Sequence, residues 1–467
     1  MGLLYKATMD FSAWLWGTPM LVLLLGGGVI LSVTLGFFQI RYFGYILSET
    51  FGKLFEKPQG EGSVSPFQAA SAALASTIGA SNIVGIPVAI AFGGPGAVFW
   101  MWVTALIGSA TKFSEIVLGL KYRERNAEGE YVGGPQFYLD KGLKAKGLPM
   151  LGKIFAFFLM LEIVPSMSTQ TASVVHSANS INIPNYVTGI ILMLLIGAVV
   201  FGGLKRIVQI TEKMVPLMGG LYVFFALIVV FVNIKEFPSV IGLIFTHAFT
   251  PAAATGGFIG ASIAQAISRG AARGTYSNEA GMGTAPIAHA TAITDHPVRQ
   301  AFWGIFEIIV DTFLIGTITA FVVLVTGIWQ SVPNSQAASM PALAFQHLFG
   351  NALGGSIVTV SIALFVISTM IVLVFYGEKQ AEYLFGLKFS KVMRIVYLMA
   401  ILFGAFGGIE FLYSFLDLFL AAIIIPNMIG LLLMRNEVKE LKNEFFSNSI
   451  FYPKAKSKIT QNTTTDK

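Results

Sequence analysis

The chain contains several apolar runs that are free of charge and long enough to cross a lipid bilayer. No charged residue lies between positions 11 and 40, and the run 214–234 is equally free of charge. A helix of about 20 apolar residues spans the hydrocarbon core, which is about 30 Å thick. Only 12% of the residues are charged, against about 25% in soluble domains. The sequence therefore predicts an all-α protein that crosses the membrane many times.

Apolar runs bounded by charged residues or by Pro, Gly and Asn predict eleven transmembrane helices. We place them near 17–40, 66–91, 96–120, 150–177, 184–203, 212–234, 256–285, 299–328, 355–378, 392–409 and 411–434. The apolar segments 237–250 and 338–350 are too short to span, so we expect re-entrant or interfacial helices there. The first run lacks a basic flank and a small-residue cleavage site, which predicts a retained span rather than a signal peptide.

Basic residues cluster on one side of this eleven-span arrangement. The clusters fall near the ends of the odd-numbered spans, whereas the opposite side holds Lys6 and Lys235. Because positively charged loops stay in the cytoplasm, we expect an external N-terminus and a cytoplasmic C-terminus in a bacterial-type inner membrane. The net charge of +6 then reflects topology, and no nucleic-acid partner is expected. The absence of cysteine excludes disulfides and thiolate metal sites.

Two predicted spans are interrupted by small and polar residues. The second span breaks at Gly79, Ala80 and Ser81, and the seventh is rich in glycine over 266–274. Non-helical backbone inside a bilayer is tolerated where it lines a cavity or site, and paired breaks in two inverted halves indicate a solute site. Close helix packing is the alternative explanation for such small residues.

The breaks divide the chain into two sets of five helices behind one leading helix. The predicted divisions are 1–60 for the external N-terminus and leading helix, 61–236 and 237–435 for the two five-helix sets, and 436–467 for a polar cytoplasmic tail.

Several segments resemble the motifs of one transporter family. Residues 93–108, and 277–283 followed by 285–289, resemble the signatures of the sodium–alanine/glycine symporters, and 37–41, 376–379 and 382–386 extend the likeness. The resemblance implies a LeuT-like five-plus-five inverted repeat preceded by one extra helix. It also implies import of a small neutral amino acid driven by a sodium gradient.

A zwitterionic amino acid needs a partner for each of its two charges in a low-dielectric interior. Free N–H groups near Ala80, Ser81 and Asn82 suit the carboxylate, and carbonyls over 264–268 suit the ammonium. By the family resemblance Gln170 faces the substrate, although an interhelical hydrogen bond would also explain it. Thr77 either lines the cavity or bonds back to its own helix. The predicted substrate-binding residues are Thr77, Ala80, Ser81, Gln170, Ala264, Ile267 and Ser268.

Sodium requires hard oxygen ligands, which broken helices and hydroxyl groups supply. A LeuT-like arrangement places the Ser368 and Thr369 hydroxyls and the Phe365 carbonyl against the carbonyls of Ala75 and Ile78. Back-bonding of both hydroxyls within their helix is the alternative. Asn82 either gives an amide oxygen to a second sodium or caps the restarting half-helix. Sodium is expected as the coupling ion, and no cofactor is expected.

Ionisable residues inside spans are costly and need partners. Lys112 and Glu115, three apart on one helix face, are expected to pair with each other. Glu307 and Asp311 carry like charge four residues apart, so a partner, a proton or a cation must compensate them. No role is assigned to single residues within or near spans, namely Glu162, His176 and Asp417.

A second charged group is expected at the cytoplasmic end of the seventh span. Arg269, Arg273 and Glu279 cluster in sequence there, which suggests either an inner gate held by ion pairs or simple membrane anchoring.

The sequence departs from the usual family pattern at three places. Ser81 replaces a common glycine, Ala172 a common asparagine, and Val372 and Leu373 stand where Gly-Trp is frequent. A larger neutral amino acid, such as glutamine, serine or methionine, therefore remains open as substrate.

The remaining functional classes fit the sequence less well. Neither a metalloprotease nor a nucleotide-binding motif is present, so no enzymatic activity is expected. A channel would show repeated filter loops. A proton-coupled carrier of the same fold is the main alternative.

Overall fold

The computed structural model describes residues 2–54, 56–148, 150–179, 183–253, 260–407 and 410–455. Most of these residues are helical, and two short strands, β1 (Glu124–Arg125) and β2 (Tyr131–Val132), form a hairpin between the helix that ends at Lys121 and the helix that begins at Pro135. Residues 256–259 and 408–409 of the predicted spans, and the predicted polar tail from 456, lie outside the described residues.

The helices run as follows in chain order. They are α1 (Gly2–Leu15), α2 (Thr18–Leu21), α3 (Gly27–Thr34), α4 (Phe38–Arg41), α5 (Phe43–Thr50), α6 (Pro66–Thr77), α7 (Ile86–Gly93), α8 (Gly96–Lys121), α9 (Pro135–Gly142), α10 (Met150–Asn179), α11 (Asn185–Val200), α12 (Gly203–Val232), α13 (Phe237–Phe249), α14 (Ile263–Asn278), α15 (Ala285–His289), α16 (Pro297–Ile308), α17 (Thr317–Val325), α18 (Ile328–Ser331), α19 (Met340–Phe349), α20 (Asn351–Phe385), α21 (Leu387–Ala405), α22 (Glu410–Leu433) and α23 (Arg435–Ser447). Wider π turns join some of them at Val22–Gly26, Ser81–Gly85 and Ile309–Gly316, and 3₁₀ turns occur at Phe51–Lys53, Lys144–Lys146, Ile234–Glu236 and Asn334–Ser339.

Each of the eleven predicted spans overlaps a helix of the structure. Among the described residues, seven helical segments are long and apolar enough to cross a membrane, and the bent pair α6 and α7 adds an eighth. The apolar helix α11 has 16 residues and falls short of that length. The protein is therefore a helical multi-pass membrane protein, while the count of eleven spans stays a prediction.

The first predicted break is confirmed. Helix α6 begins with a capping box between Ser65 and Gln68 and ends at Thr77. Helical structure resumes at Ser81, and the two halves meet at a bend of 52°. Breaks of this kind expose the C-terminal carbonyls of one half-helix and the N-terminal amides of the next.

The predicted position of the second break is wrong. Helix α14 runs without interruption through 266–274. Its glycines serve packing, because a Cβ at Gly270 would lie 2.3 Å from the Ala97 carbonyl oxygen and one at Gly274 would lie 3.1 Å from that of Met101. Small residues let the backbones of α14 and α8 approach closely.

The actual second break lies further along the same span, between α14 and α15. Glu279 adopts a left-handed conformation with φ of 55°, and Gly281 and Gly283 have φ of 98° and 78°. These conformations end α14 and keep 279–284 out of helix.

The two breaks lie in the protein interior. Helix α6 packs against α12 and α20, α14 packs against α7 and α8, and α10 packs against α20 and α22. Most side chains of α8 and α20 are buried, whereas the leading span and α12 expose apolar side chains such as Leu217, Phe224 and Phe231. Exposed apolar side chains on these outer helices fit contact with lipid.

Candidate functional site

Five of the six predicted sodium ligands, all except Asn82, meet at the end of α6. The Thr369 hydroxyl lies 3.0 Å from the carbonyl oxygen of Ala75 and 3.3 Å from that of Ile78. The Ser368 hydroxyl lies 3.4 Å from the Ala75 oxygen, and both hydroxyls are within 2.9 Å of the Phe365 carbonyl oxygen. All five residues are buried. The arrangement joins a neutral set of hard oxygens, the ligand type that alkali cations prefer.

A small cavity of about 50 Å³ adjoins this oxygen set. Its lining combines residues around both breaks with residues of α10, α20 and α22, namely Ser76, Thr77, Gly79, Ser81, Glu162, Ser166, Gln170, Tyr276, Glu279, Met282, Thr284, Thr369, Leu373, Leu420 and Ile423. Thr369 thus belongs both to the oxygen set and to the cavity wall.

Three of the predicted substrate-binding residues line this cavity, which are Thr77, Ser81 and Gln170. The Thr77 hydroxyl also donates a hydrogen bond of 3.1 Å to the Leu74 carbonyl within its own helix. Ala80 is buried in the break but does not line the cavity.

The other three predicted substrate-binding residues lie elsewhere. Ala264, Ile267 and Ser268 are on continuous helix α14, where Ala264 and Ser268 are exposed. Ser268 faces a groove beside Trp16 and Met20 of the leading span. The continuous helix leaves no carbonyls of 264–268 free for an ammonium group, so the structure does not bring these residues to the cavity.

Asn82 connects the first break to two other helices. Its side-chain oxygen accepts a hydrogen bond of 3.2 Å from the Gly79 N–H. Its amide nitrogen donates to Asp311 at 2.6 Å and to Ser277 at 3.0 Å. The bond from Gly79 runs back to a residue before the half-helix, whose N-cap, Ala80, has no side-chain cap hydrogen bond. Asn82 therefore does not cap the half-helix, and its role as a ligand of a second sodium stays a prediction.

Four further residues line the cavity that are not among the predicted substrate-binding residues. They are Tyr276 near the end of α14 and Glu279, Met282 and Thr284 in the second break. The signal for this break was present in the segment 277–283, whose two closely spaced glycines precede Pro286. Glu162, to which the sequence assigned no role, also lines the cavity and is 4% exposed.

The buried charges pair differently from the sequence prediction. Lys112 forms an ion pair of 2.8 Å with Glu307 and does not pair with Glu115. Glu307 also contacts His289. The charge of Glu307 is therefore compensated by Lys112 on a neighbouring helix. Asp311 accepts hydrogen bonds from Asn82, from Ser277 and, at 2.8 Å, from Thr312. Spacing on one helix could not reveal these contacts, because the partners lie on neighbouring helices.

The ion pairs predicted for an inner gate do not form among the described residues, and the gate itself stays a prediction. Arg269 lies over the Phe92 ring, and Arg273 lies over the Tyr276 ring with its guanidinium 3.5 Å from the Ser81 carbonyl oxygen. Both arginines therefore flank the second half of the first broken span. Within the described ranges no ion pair joins either of them to Glu279.

A second, larger cavity lies beside the restarted half of the first broken span. It has a volume of about 630 Å³, and α10, α19, α20 and Val84 of the restarted half-helix line it. Ala172, His176 and Gln346 are among its walls. Ala172 and His176 lie towards the C-terminal end of α10, whereas the basic turn Lys144–Lys146 precedes its N-terminal end.

Known proteins match the chain over nearly its whole length. A profile described as "Sodium:alanine symporter family" matches residues 1–459. The "Uncharacterized transporter YflA" of Bacillus subtilis (strain 168) is 50% identical over 452 residues, covering 96% of this chain and 95% of that protein. The "Sodium/alanine symporter AgcS" of Methanococcus maripaludis is 40% identical over 432 residues, covering 91% and 94%.

Among solved structures, the chain is similar in fold to MhsT in complex with L-phenylalanine. The TM-score is 0.53 at 13% identity, covering 80% of this chain and 89% of MhsT. The full-length family match and the two relatives settle the relationship: the chain belongs to the sodium:alanine symporter family.

Proposed function

We propose that the protein imports a small neutral amino acid, alanine or glycine, across the cell membrane by symport with sodium. The observation that carries this proposal is that the five-oxygen set and the cavity share the first broken helix. The name of the AgcS relative, a sodium/alanine symporter, supports the same pair of solutes.

The sodium ion binds between the carbonyls of Ala75 and Ile78, the Phe365 carbonyl and the hydroxyls of Ser368 and Thr369. The C-terminal end of α6 carries partial negative charge, which favours a cation there. The ligand set contains no carboxylate, so a monovalent ion leaves it with a single positive charge.

The substrate binds in the cavity with its carboxylate at the N-terminal end of the half-helix that begins at Ser81. The half-helix dipole and its N–H groups favour an anion at that end. Thr77 and Gln170 supply further polar contacts. The small cavity favours a small side chain, although Leu373 in place of a tryptophan leaves room for serine, glutamine or methionine.

Transport proceeds by alternating access across eleven spans arranged as a five-plus-five inverted repeat behind the leading helix. Residues 61–236 and 237–435 form the two halves, 1–60 precede them, and 436–467 form the cytoplasmic tail. The two broken spans in the two halves support this division. The 630 Å³ cavity is the external vestibule when the N-terminus lies outside.

The second candidate is a proton-coupled carrier of another or larger neutral amino acid. The observation that favours it is a pair of carboxylates, Glu162 and Glu279, in the cavity wall. In the described part of the chain, neither forms an ion pair, and carboxylates inside the membrane can serve as proton relays in carriers.

Uptake into proteoliposomes separates the two candidates. Purified protein is reconstituted, and accumulation of labelled alanine is followed with a sodium gradient, with a pH gradient, or with neither. Sodium symport predicts accumulation with the sodium gradient alone. Accumulation that follows the pH gradient and ignores sodium would establish the proton-coupled carrier instead.

A further inference from the structure

The backbone at the second break is held by two side chains of α8. Lys112 Nζ donates a hydrogen bond of 2.9 Å to the carbonyl of Asn278, the last residue of α14. Glu115 Oε1 accepts hydrogen bonds of 3.0 Å from the Gly281 N–H and 3.1 Å from the Gly283 N–H. We name Lys112 and Glu115 the α8 clamp. Three residues apart on one helix, they hold the two sides of the break.

Other helices hold the α8 clamp in place. Glu307 on α16 pairs with Lys112 at 2.8 Å, and both side chains are fully buried. Asn427 on α22 donates to Glu115 at 2.6 Å and to the Gly281 carbonyl at 2.9 Å. The Asn278 and Gly281 carbonyls and the Gly281 and Gly283 N–H groups are thus bonded to protein partners. Because these four backbone groups are already engaged, a side chain is the stronger candidate for the group that binds a cation in the cavity.

The clamp leaves the Glu279 side chain facing the cavity. Glu279 lies between the two clamped segments in its left-handed conformation. Its carboxylate accepts hydrogen bonds from the Ser76 and Thr284 hydroxyls. No lysine, arginine or histidine is among the described residues that line the cavity, and the nearby Lys112 is paired with Glu307. A buried carboxylate without a counter-charge favours a cationic group beside it.

Glu279 is better placed than Glu162 to receive that group. The amino and carboxylate groups of an α-amino acid share one carbon atom, so their receptors must be close together. The Glu279 carboxylate lies 3.3 Å from the Ser76 hydroxyl. Ser76 is on α6, three residues before Gly79 in the first break. Glu162 instead bonds to Ser166 of its own helix.

We propose that Glu279 receives the α-amino group of the substrate and that Lys112 and Glu115 are positioning residues that aim it. This inference rests on the proposed amino-acid transport. It replaces the backbone carbonyls of 264–268 with one carboxylate as the receptor for the amino group.

The test compares Glu279→Gln with Glu162→Gln, a matched change in the same cavity. Both keep side-chain size and remove one charge. Glu279→Gln should raise the KM for alanine roughly tenfold to 100-fold, the loss expected for one charged hydrogen bond. Glu162→Gln should raise it less, and sodium alone should still stabilise both variants against heat. A wild-type KM in Glu279→Gln, or an equal rise in Glu162→Gln, would overturn the assignment.

Positioning is tested at Glu115. Glu115→Gln keeps an acceptor oxygen for Gly281 and Gly283, so the KM for alanine should stay near wild type. Glu115→Leu removes the acceptor and should raise the KM while leaving sodium stabilisation in place. If Glu115→Leu does not fold, a large KM rise in Glu115→Gln still contradicts the positioning role. Failure of wild-type protein to take up alanine with sodium would instead refute the proposed function.

Discussion

At the scale of single residues, the hydroxyls of Ser368 and Thr369 are the most informative. Both lie on α20 and both reach the carbonyl oxygen of Ala75 across the helix interface. Ordinary back-bonding would engage only the Phe365 carbonyl of their own helix. The contacts to Ala75 and Ile78 therefore bring oxygens from two helices together in one place.

Removing these hydroxyls should weaken sodium activation. Ser368→Ala and Thr369→Ala should each raise the sodium concentration for half-maximal uptake about tenfold, because each deletes one ligand of a charged group. Ser361→Ala is the matched control, since its buried hydroxyl on α20 bonds to the Ile357 carbonyl. Sodium titrations of alanine uptake measure the effect. Unchanged titrations in both site variants would refute the ligand assignment.

The contacts of single side chains are only partly predictable from the sequence. The Ser–Thr pair is predicted through the family resemblance, because two adjacent hydroxyls in an apolar helix more often bond back to their own helix. The ion pair between Lys112 and Glu307 joins residues 195 positions apart, and only the packing of α16 on α8 creates it. Helical spacing correctly predicts that Lys112 and Glu115 share one face of α8, but it does not predict which groups contact that face.

At the scale of elements, the two broken helices differ in how they are made. The first break lies near Gly79, Ala80 and Ser81, where the sequence predicts it. The second was misplaced because Gly270 and Gly274 serve close packing against α8. Small residues at helix contacts and small residues at breaks look alike in sequence. Left-handed backbone at Glu279, Gly281 and Gly283 is what distinguishes the real break.

A side chain at Gly281 should disturb the second break. Gly281→Ala places a Cβ 2.7 Å from Leu24 in a backbone with φ of 98°, and such a conformation costs about 1–2 kcal/mol for an L-residue. Thermal stability and alanine uptake should both fall. Gly220→Ala is the control, because its Cβ would meet nothing within 4 Å. Wild-type uptake in Gly281→Ala would show that the break tolerates a side chain.

The C-terminal helix α23 should respond to acid through His296. This histidine lies between the rings of Phe445 and Phe451, with centroids 5.3 and 4.7 Å away, and its Nδ1 accepts the Val298 N–H. Burial lowers the pKa of His296 below 6.5, against opposing effects of Glu444 and Asp295. A lowered folded-state pKa means that stability is present above pH 6.5 and is lost as the pH falls.

The prediction is a loss of thermal stability on acidification that depends on His296. Between about pH 7.5 and pH 5.5 the unfolding midpoint should fall more in wild type than in His296→Asn, which keeps a capping side chain without titrating. Differential scanning fluorimetry at several pH values measures it. Parallel pH profiles for the two proteins would contradict this role for His296.

At the scale of the whole molecule, the helical fold and its orientation in the membrane rest on different evidence. The helical multi-pass architecture was predictable because charge-free runs of span length have few other uses. The orientation was inferred from basic loops alone and stays a prediction. The site lies where the two broken spans meet, and sequence identified one of its two sides.

The orientation is testable directly because the chain has no native cysteine. Lys6→Cys and Lys439→Cys place single thiols at exposed positions near the two ends of the described chain. An impermeant maleimide should label Lys6→Cys in intact cells and Lys439→Cys only after permeabilisation. The reverse pattern would place the N-terminus in the cytoplasm.

In the proposed mechanism, sodium and substrate bind to one shared break. The Ile78 carbonyl belongs to the sodium set, and the half-helix at Ser81 begins three residues later, so each ligand should order the backbone that the other uses. The most direct measurement is the Kd of purified protein for alanine in sodium and in choline. Sodium should lower that Kd about tenfold, within the usual range of such coupling. Equal alanine affinity in sodium and choline would show that the two ligands bind independently rather than at one shared break.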